Sequence, residues 1–400
     1  MFCTRKVNDQ VIWVGASDRR LAKFENLFPV PRGVSYNSYL ILDDKTALMD
    51  TVDADVADRF LENVAATLDA RALDYIVVQH MEPDHAATLA RVLERYPDAQ
   101  VVCNAKTLDM IGRFFPSLQL RSPMIVKDGD TLALGERTLQ FVFAPMVHWP
   151  EVMVSYERKD KILFSADAFG SFGAIDGALF DDEADFDMEW KDDARRYYVN
   201  IVGKYGAPVQ TLLKKAAGLD IRTICPLHGL VWRKDLAKIV ELYRKWSSYE
   251  PEERGVLIAY ASMYGNTQNL AELLACRLAD RGVRALRVCD ISVTDMSELT
   301  AHAFRYSHMI LLSPTYNGEL YPQMETFLSD LRRLALRART VALCDNGAWA
   351  ATAAKQMRTQ LETFKDFRIL DAQIGIRSAL RADDLSAVQA LVDQIVESME

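Results

Sequence analysis

Residues 79–86 read Gln-His-Met-Glu-Pro-Asp-His-Ala, which puts His80, Glu82, Asp84 and His85 on one short loop. Imidazole and carboxylate side chains at this density are ligation suited to a first-row transition metal. A single His-x-Glu pair is ordinary surface chemistry, but the chain has only 6 histidines and two of them fall here. Two more stand where an apolar, strand-like run ends: residues 139–143 lead to His148, and residues 221–225 lead to His228. Asp167 follows a third such run, Ile162-Leu163-Phe164. The loop at 80–85 itself follows an apolar run at 75–78 and precedes a helix-like stretch at 86–94. Strand ends that deliver side chains from distant sequence are how an α/β layer assembles a site. His302 and His308 do not share this placement and read as packing or surface residues.

The second half of the chain carries a different pattern. An apolar run at 255–261 is followed by Ser262-Met263-Tyr264-Gly265-Asn266-Thr267, and then by helical spacing over 268–279. Strand, hydroxyl-rich loop and helix together make a phosphate cradle, because backbone N–H groups and the positive end of the helix dipole face the anion. Ser262 and Thr267 add hydroxyl donors, and Gly265 permits close backbone approach. Neither a Gly-Lys-Ser/Thr ending nor a Gly-x-Gly-x-x-Gly run is present, which disfavours a nucleoside triphosphate or a dinucleotide. Two further apolar runs, at 309–312 and 341–343, lead to Pro314-Thr315-Tyr316-Asn317-Gly318 and to Asn346-Gly347-Ala348-Trp349.

The set His80-x-Glu82-x-Asp84-His85, His148, Asp167 and His228 resembles the metallo-β-lactamase-like domain of flavodiiron proteins, also called A-type flavoproteins. The wider superfamily normally carries His-x-His-x-Asp-His and binds zinc for hydrolysis. Glu82 in the second position makes the shell richer in oxygen and more anionic, which favours iron. The resemblance implies that His80, Glu82 and His148 hold one iron, that Asp84, His85 and His228 hold the other, and that Asp167 bridges them. The three loops of the second half resemble the phosphate loop and the two isoalloxazine loops of flavodoxins, which implies flavin mononucleotide (FMN). Tyr316 and Trp349 are the candidates to flank its ring, since aromatic faces stack on planar rings.

Four hundred residues exceed one core, and the polar, Pro-containing stretch at 247–254 is the natural seam. We therefore expect residues 1–250 to form an αββα metallo-β-lactamase-like sandwich. Residues 251–400 are expected to form a flavodoxin-like, doubly wound parallel sheet. Further expected strands lie at 11–16, 38–42 and 46–50, and helices at 54–68, 107–115 and 236–246. A helix is also expected over 190–204, from which Tyr197 or Tyr198 would either approach the metals as a proton donor or simply pack.

No apolar run is long enough to span a membrane and the N-terminus lacks a signal core, so a soluble cytoplasmic protein is expected. The net charge of -9 argues against nucleic-acid binding. Cys3, Cys103, Cys225, Cys276, Cys289 and Cys344 are scattered without a Cys-x-x-Cys pair, so no rubredoxin-like iron site is built in. Cys225, close to His228, reads as a small buried residue more readily than as a neighbour of the metals. Electrons would then come from a separate donor, which the resemblance implies is a rubredoxin or a reduced deazaflavin coenzyme. It also implies a head-to-tail homodimer, or a dimer of dimers, that brings the flavin of one chain to the irons of another. The activity expected is reduction of dioxygen to water, of nitric oxide to nitrous oxide, or of both. A zinc hydrolase with a flavin domain and a plain flavin electron carrier are the competing readings. Glu82 speaks against the first, and the intact ligand set against the second.

Overall fold

The computed structural model describes residues 2–400. It divides into two compact units, one running to Tyr198 and including Ala207–Arg244, the other Val199–Gly206 with Lys245–Glu400. No helix among the described residues is long and apolar enough to cross a membrane.

The first unit is an αββα sandwich. Its larger sheet has the order Arg5–Lys6, Val11–Trp13, Tyr39–Leu42, Thr46–Met49, Tyr75–Val77, Gln100–Cys103, Met124–Ile125. The first four strands pair antiparallel and the last four parallel. The smaller sheet runs antiparallel through Thr131–Ala133, Thr138–Phe143, Met153–Glu157 and Ile162–Phe164, and closes on Thr223–Cys225 in parallel. Tyr39, Ile41, Met49, Val77 and Val102 of one sheet pack with Leu139, Phe141, Met153, Phe164 and Cys225 of the other. Alternate residues such as Leu40, Leu48 and Ile76 are equally buried, so the larger sheet is covered on its other face too. That double burial is why its central strands read as continuous apolar runs.

Two helices differ from expectation for local reasons. The helix expected over 86–94 is split into Pro83–Ala86 and Leu89–Arg95. Pro83 starts the first piece early, since a proline suits the first helical turn. The Thr88 hydroxyl donates to Val52 O at 2.7 Å, at the break between the pieces. The helix expected over 190–204 is regular only across Lys191–Tyr197, between wide, π-type turns at Phe186–Trp190 and Tyr198–Val202. Such turns shift the facing of side chains and are frequent beside functional sites.

The second unit holds five parallel strands in the order Leu286–Asp290, Glu253–Tyr260, Tyr306–Tyr316, Thr340–Asn346, Arg368–Ile376. A short strand, Glu319–Leu320, pairs antiparallel with the third strand in sequence. The strand order reverses beside Glu253–Tyr260, and the crevice at such a switch point is where this kind of sheet binds ligands. Helices Asn266–Asp280 and Leu385–Met399 pack on the sheet through Leu270, Leu274, Leu278, Leu391 and Ile395.

Candidate functional site

At the end of the strand Tyr75–Val77 the chain is held by Asp50, a buried residue following the neighbouring strand. Its Oδ1 accepts from Gln79 N at 2.7 Å and His80 N at 3.3 Å, and its Oδ2 accepts from Gln79 Nε2 at 2.8 Å. Thr51 donates to His85 O through both its backbone N and its hydroxyl, at 2.9 and 2.7 Å. The loop 79–85 is thereby fixed at both ends. The His228 turn is held by Asn37, whose Nδ2 donates to Pro226 O and Gly229 O at 3.0 Å each. Gly229 has φ +71, and a Cβ there would lie 2.9 Å from the Ser171 side chain, so this turn requires glycine.

These elements bring all seven expected metal ligands together in two buried groups: His80, Glu82, His148 and Asp167, and Asp84, His85 and His228. In the first group His80 Nε2 lies 3.0 Å from Asp167 Oδ2 and 3.4 Å from Glu82 Oε2. His148 Nε2 lies 3.0 Å from Glu82 Oε2 and 3.2 Å from Asp167 Oδ2. In the second, His85 Nε2 lies 3.2 Å from Asp84 Oδ2 and 3.1 Å from Asp167 Oδ1. His228 Nε2 is 3.2 Å from Asp84 Oδ2, 3.6 Å from Asp167 Oδ1 and 3.1 Å from His85 Nε2. Asp167 thus turns one oxygen to each group.

The donor set fits two transition-metal ions. Metal–ligand bonds of about 2.1 Å separate neighbouring ligand atoms by about 3.0 Å in an octahedron and about 3.4 Å in a tetrahedron. Both carboxylate oxygens of Asp84 and of Asp167, and Nε2 of His80, are buried without a well-formed protein hydrogen bond. Among the described residues, the only basic groups paired with Glu82, Asp84 and Asp167 are histidines. Buried carboxylates without lysine or arginine are stabilised by protons or by a metal.

Proton affinities in the metal-free site reflect this crowding. Burial works against protonating His80, yet the Asp167, Glu151 and Glu82 carboxylates hold it well above the usual histidine range. His148 is likewise raised to about 9 by Asp167 and Glu82 against its burial. Burial would raise Glu82 and Asp167, but the surrounding histidines keep both well below the carboxylate range. Asp84 is raised to about 8, first by burial and then by the charges of Glu82 and Asp167. His228 is lowered by burial.

Aromatic rings wall the site. Trp149 meets His80 edge-on with centroids 5.3 Å apart, and Tyr197 and Tyr36 approach His228 at 5.4 and 5.8 Å. Tyr198 instead packs on Tyr243, and Cys225 lies in the core between the sheets. Sequence reasoning missed two acidic groups. Glu151 binds Nδ1 of His80 at 2.8 Å. Glu25, an exposed residue at the tip of the hairpin Lys23–Phe24 and Phe28–Pro29, has its carboxyl raised to about 8 by partial desolvation and by a hydrogen bond with Glu82. The adjacent Phe24 ring contacts His228, with centroids 5.4 Å apart, and nothing in the sequence near 25 signals this proximity.

In the second unit, the strand ends enclose a cavity of about 520 Å³, within the about 300–1,000 Å³ common for small-molecule and cofactor sites. Ser262, Met263, Tyr264, Asn266, Thr267, Pro314, Thr315, Asn317, Gly318, Asn346, Gly347, Ala348 and Trp349 line it, as do Ala350 and Ser378, which the sequence did not single out. Gly265 and Tyr316 are not among the lining residues. Gly265 has φ +87 and caps the helix Asn266–Asp280, and Tyr316 sets its ring edge-on to Tyr321. Asn346 ties three loops together: its Nδ2 donates to Thr267 Oγ1 at 3.3 Å and Ser378 O at 3.0 Å, and its Oδ1 accepts from Ser378 N. Tyr264 and Trp349 are 90% and 94% exposed, so their ring faces are available for stacking. His308 takes no part; it bonds Ser307 and Ser398.

Comparison with known proteins gives the following. Residues 34–229 match the family described as ODP family beta lactamase, and residues 257–391 match a flavodoxin domain. A nitric oxide reductase of Moorella thermoacetica is 32% identical over 382 residues, covering 95% of this chain and 94% of that protein. An anaerobic nitric oxide reductase flavorubredoxin of Escherichia coli is 33% identical over 363 residues, covering 89% of this chain and 74% of that one. Among solved structures, rubredoxin oxygen:oxidoreductase from Desulfovibrio gigas matches with a TM-score of 0.91 and 26% identity over 99% of this chain and 98% of that one. A flavodiiron protein from Giardia intestinalis matches with a TM-score of 0.92 and 27% identity, covering 100% of this chain and 98% of that one.

Proposed function

The chain belongs to the flavodiiron proteins, and from that membership we propose that it reduces dioxygen to water, nitric oxide to nitrous oxide, or both, with FMN relaying electrons to a non-haem diiron site. In this reading His80, Glu82 and His148 hold one iron, Asp84, His85 and His228 hold the other, and Asp167 bridges them. The observation that supports it most is the Asp167 carboxylate, with Oδ2 toward the first group and Oδ1 toward the second. When bound, two ferrous ions and a reduced flavin supply four electrons, enough with four protons to take dioxygen to two waters, whereas joining two nitric oxide molecules needs two electrons and two protons.

The chain's own residues do the remaining work. Asp50 and Thr51 fix the ligand loop so that the donors need no rearrangement to bind. The Trp149 and Tyr197 rings exclude bulk water from the histidine faces they cover. Residues 1–250 are the diiron domain in this proposal, and residues 251–400 the FMN domain. The phosphate of FMN is taken by the loop Ser262 to Thr267 at the start of its helix, where backbone N–H groups converge. The ring is taken by the loops of Pro314 to Gly318 and Asn346 to Trp349.

The protein works in the cytoplasm, as a head-to-tail homodimer or a dimer of such dimers in which one chain's FMN serves the other's irons. Its donor is an external protein such as rubredoxin, with a reduced deazaflavin coenzyme as the second route. Full activity per chain in a dilute monomer would contradict the shared site. The decisive experiment is anaerobic stopped-flow of the metal-analysed, fully reduced protein with oxygen and, separately, with nitric oxide. Two irons and one FMN per chain, both oxidised rapidly by either gas, is the expected result. Zinc in the site, with a flavin that oxidises only slowly, would sink the reading.

A further inference from the structure

The two halves of the metal site present nearly the same donors: two imidazoles, one carboxylate of their own, and one oxygen of Asp167. They differ in what stands behind the imidazoles. His80 Nδ1 faces Glu151 Oε1 at 2.8 Å. Glu151 is 2% exposed, and the same oxygen accepts from Met81 N at 2.9 Å. Its other oxygen, Oε2, has no hydrogen-bond partner among the described residues. Its backbone is held in turn, since Asn104 Nδ2 donates to Glu151 O at 2.6 Å. Among the described residues, Glu151 has no lysine or arginine ion-pair partner, and the one basic group paired with it is His80.

The other half lacks an equivalent. His228 Nδ1 donates to a backbone carbonyl, Ser35 O, at 2.7 Å. His85 Nδ1 is buried with no hydrogen-bond partner among the described residues. A carboxylate behind an imidazole makes a charge-assisted hydrogen bond, fixes the ring and its tautomer, and strengthens the opposite nitrogen as a donor. A neutral carbonyl does this more weakly, and an unpartnered nitrogen does not do it at all.

We propose that Glu151 is a positioning residue that makes the two halves unequal, so that a divalent metal enters the His80, Glu82 and His148 half first and is held there more tightly. The inference rests on the reading of these residues as metal ligands.

The test is an anaerobic titration of metal-free protein with Co²⁺, whose visible spectrum reports its coordination, against a competing chelator. Wild type should load in two resolved steps. His148→Ala should remove the first step and His85→Ala should weaken only the second. Glu151→Gln keeps an oxygen that can accept from the imidazole but removes its charge. It should weaken the first step about 10- to 100-fold and leave the second unchanged. Loading of both ions in one wild-type step would overturn the inference, as would a Glu151→Gln protein in which both steps are unchanged or fall equally. If no Co²⁺ binds at all, the metal-site reading itself fails, which is a separate outcome. Should Glu151→Gln not fold, the zinc-loaded wild type decides by NMR. The His80 Nδ1 proton should be more deshielded than that of His228, and equal shifts would overturn the proposal.

Discussion

Loading the site with metal must expel the protons that its crowded, buried groups hold. In the metal-free protein His80 is held well above the usual histidine range and His148 is raised to about 9. Asp84 is raised to about 8, while Glu82 and Asp167 stay ionised and His228 is lowered. Near neutral pH, then, three of these groups (His80, His148 and Asp84) carry protons that a metal must displace, because a ligand binds in its deprotonated form. Each displaced proton makes binding tenfold stronger per pH unit, about 1.4 kcal/mol. Three protons predict a combined affinity for two metals that rises about a thousandfold per unit, or about 4 kcal/mol, through neutral pH. The slope should ease above about 8 as Asp84 ionises, and again near about 9 as His148 does. Zn²⁺ added anaerobically to metal-free protein in weak buffer, with an indicator dye, counts the protons, and chelator competition at several pH values measures the slope. Release of fewer than one proton per chain, or an affinity flat with pH, would refute the argument that crowded carboxylates keep these histidines charged.

Three other outcomes are expected. Arg339 is 1% exposed and donates to Ala303 O, Phe304 O and Tyr249 O at 2.9, 2.7 and 2.7 Å. Arg339→Met removes the donor from these three buried carbonyls, so urea unfolding should show a loss of about 2–5 kcal/mol, and a loss below about 1 kcal/mol would show that they find other partners. Burial lowers His308 to about 4, so its neutral form favours folding. That stability is present above the unfolded pKa of about 6.5 and is lost as pH falls toward 4; His308→Gln should flatten this part of the stability curve, and an unchanged curve would remove His308 as its cause. Asn346→Ala should weaken FMN binding about tenfold by releasing Thr267 from Ser378, and Asn346→Asp more than that, because a carboxylate beside a phosphate loop repels the anion. Flavin fluorescence titration of the apoprotein reads both, and equal affinities for the two variants would place the phosphate elsewhere.

What the sequence made legible follows from where the information lies. His80, Glu82, Asp84 and His85 are close in sequence, so their density is visible without a fold. His148, Asp167 and His228 are visible because each follows a run of apolar residues, and such runs mark strands that pack into a core. The three loops of the second unit are visible for the same reason. The break at residues 87–88 was not, because it is accompanied by a hydroxyl from Thr88 reaching Val52 O, a tertiary contact with no periodic trace. Ser378 was missed because it belongs to a fifth strand end with no phosphate-like composition, and only the Asn346 bridge draws it to the cavity.

Glu151 and Glu25 show the limit most clearly. Each looks in sequence like a solvated surface acid: Glu151 follows a proline, and Glu25 sits between a phenylalanine and an asparagine. Charge type alone gives no signal, since the same side chain is inert in water and strongly acting in a dry pocket. Their roles arise from placement decided by residues far away: Glu151 is buried, with its backbone held by Asn104, while Glu25 stays exposed but is carried to Glu82 by a hairpin whose Phe24 packs on Phe172 and His228. The ligands of a metal site must be particular residue types and so leave a pattern. The groups that tune them need only be placed correctly, so the inequality of the two halves was invisible until the sheets were assembled.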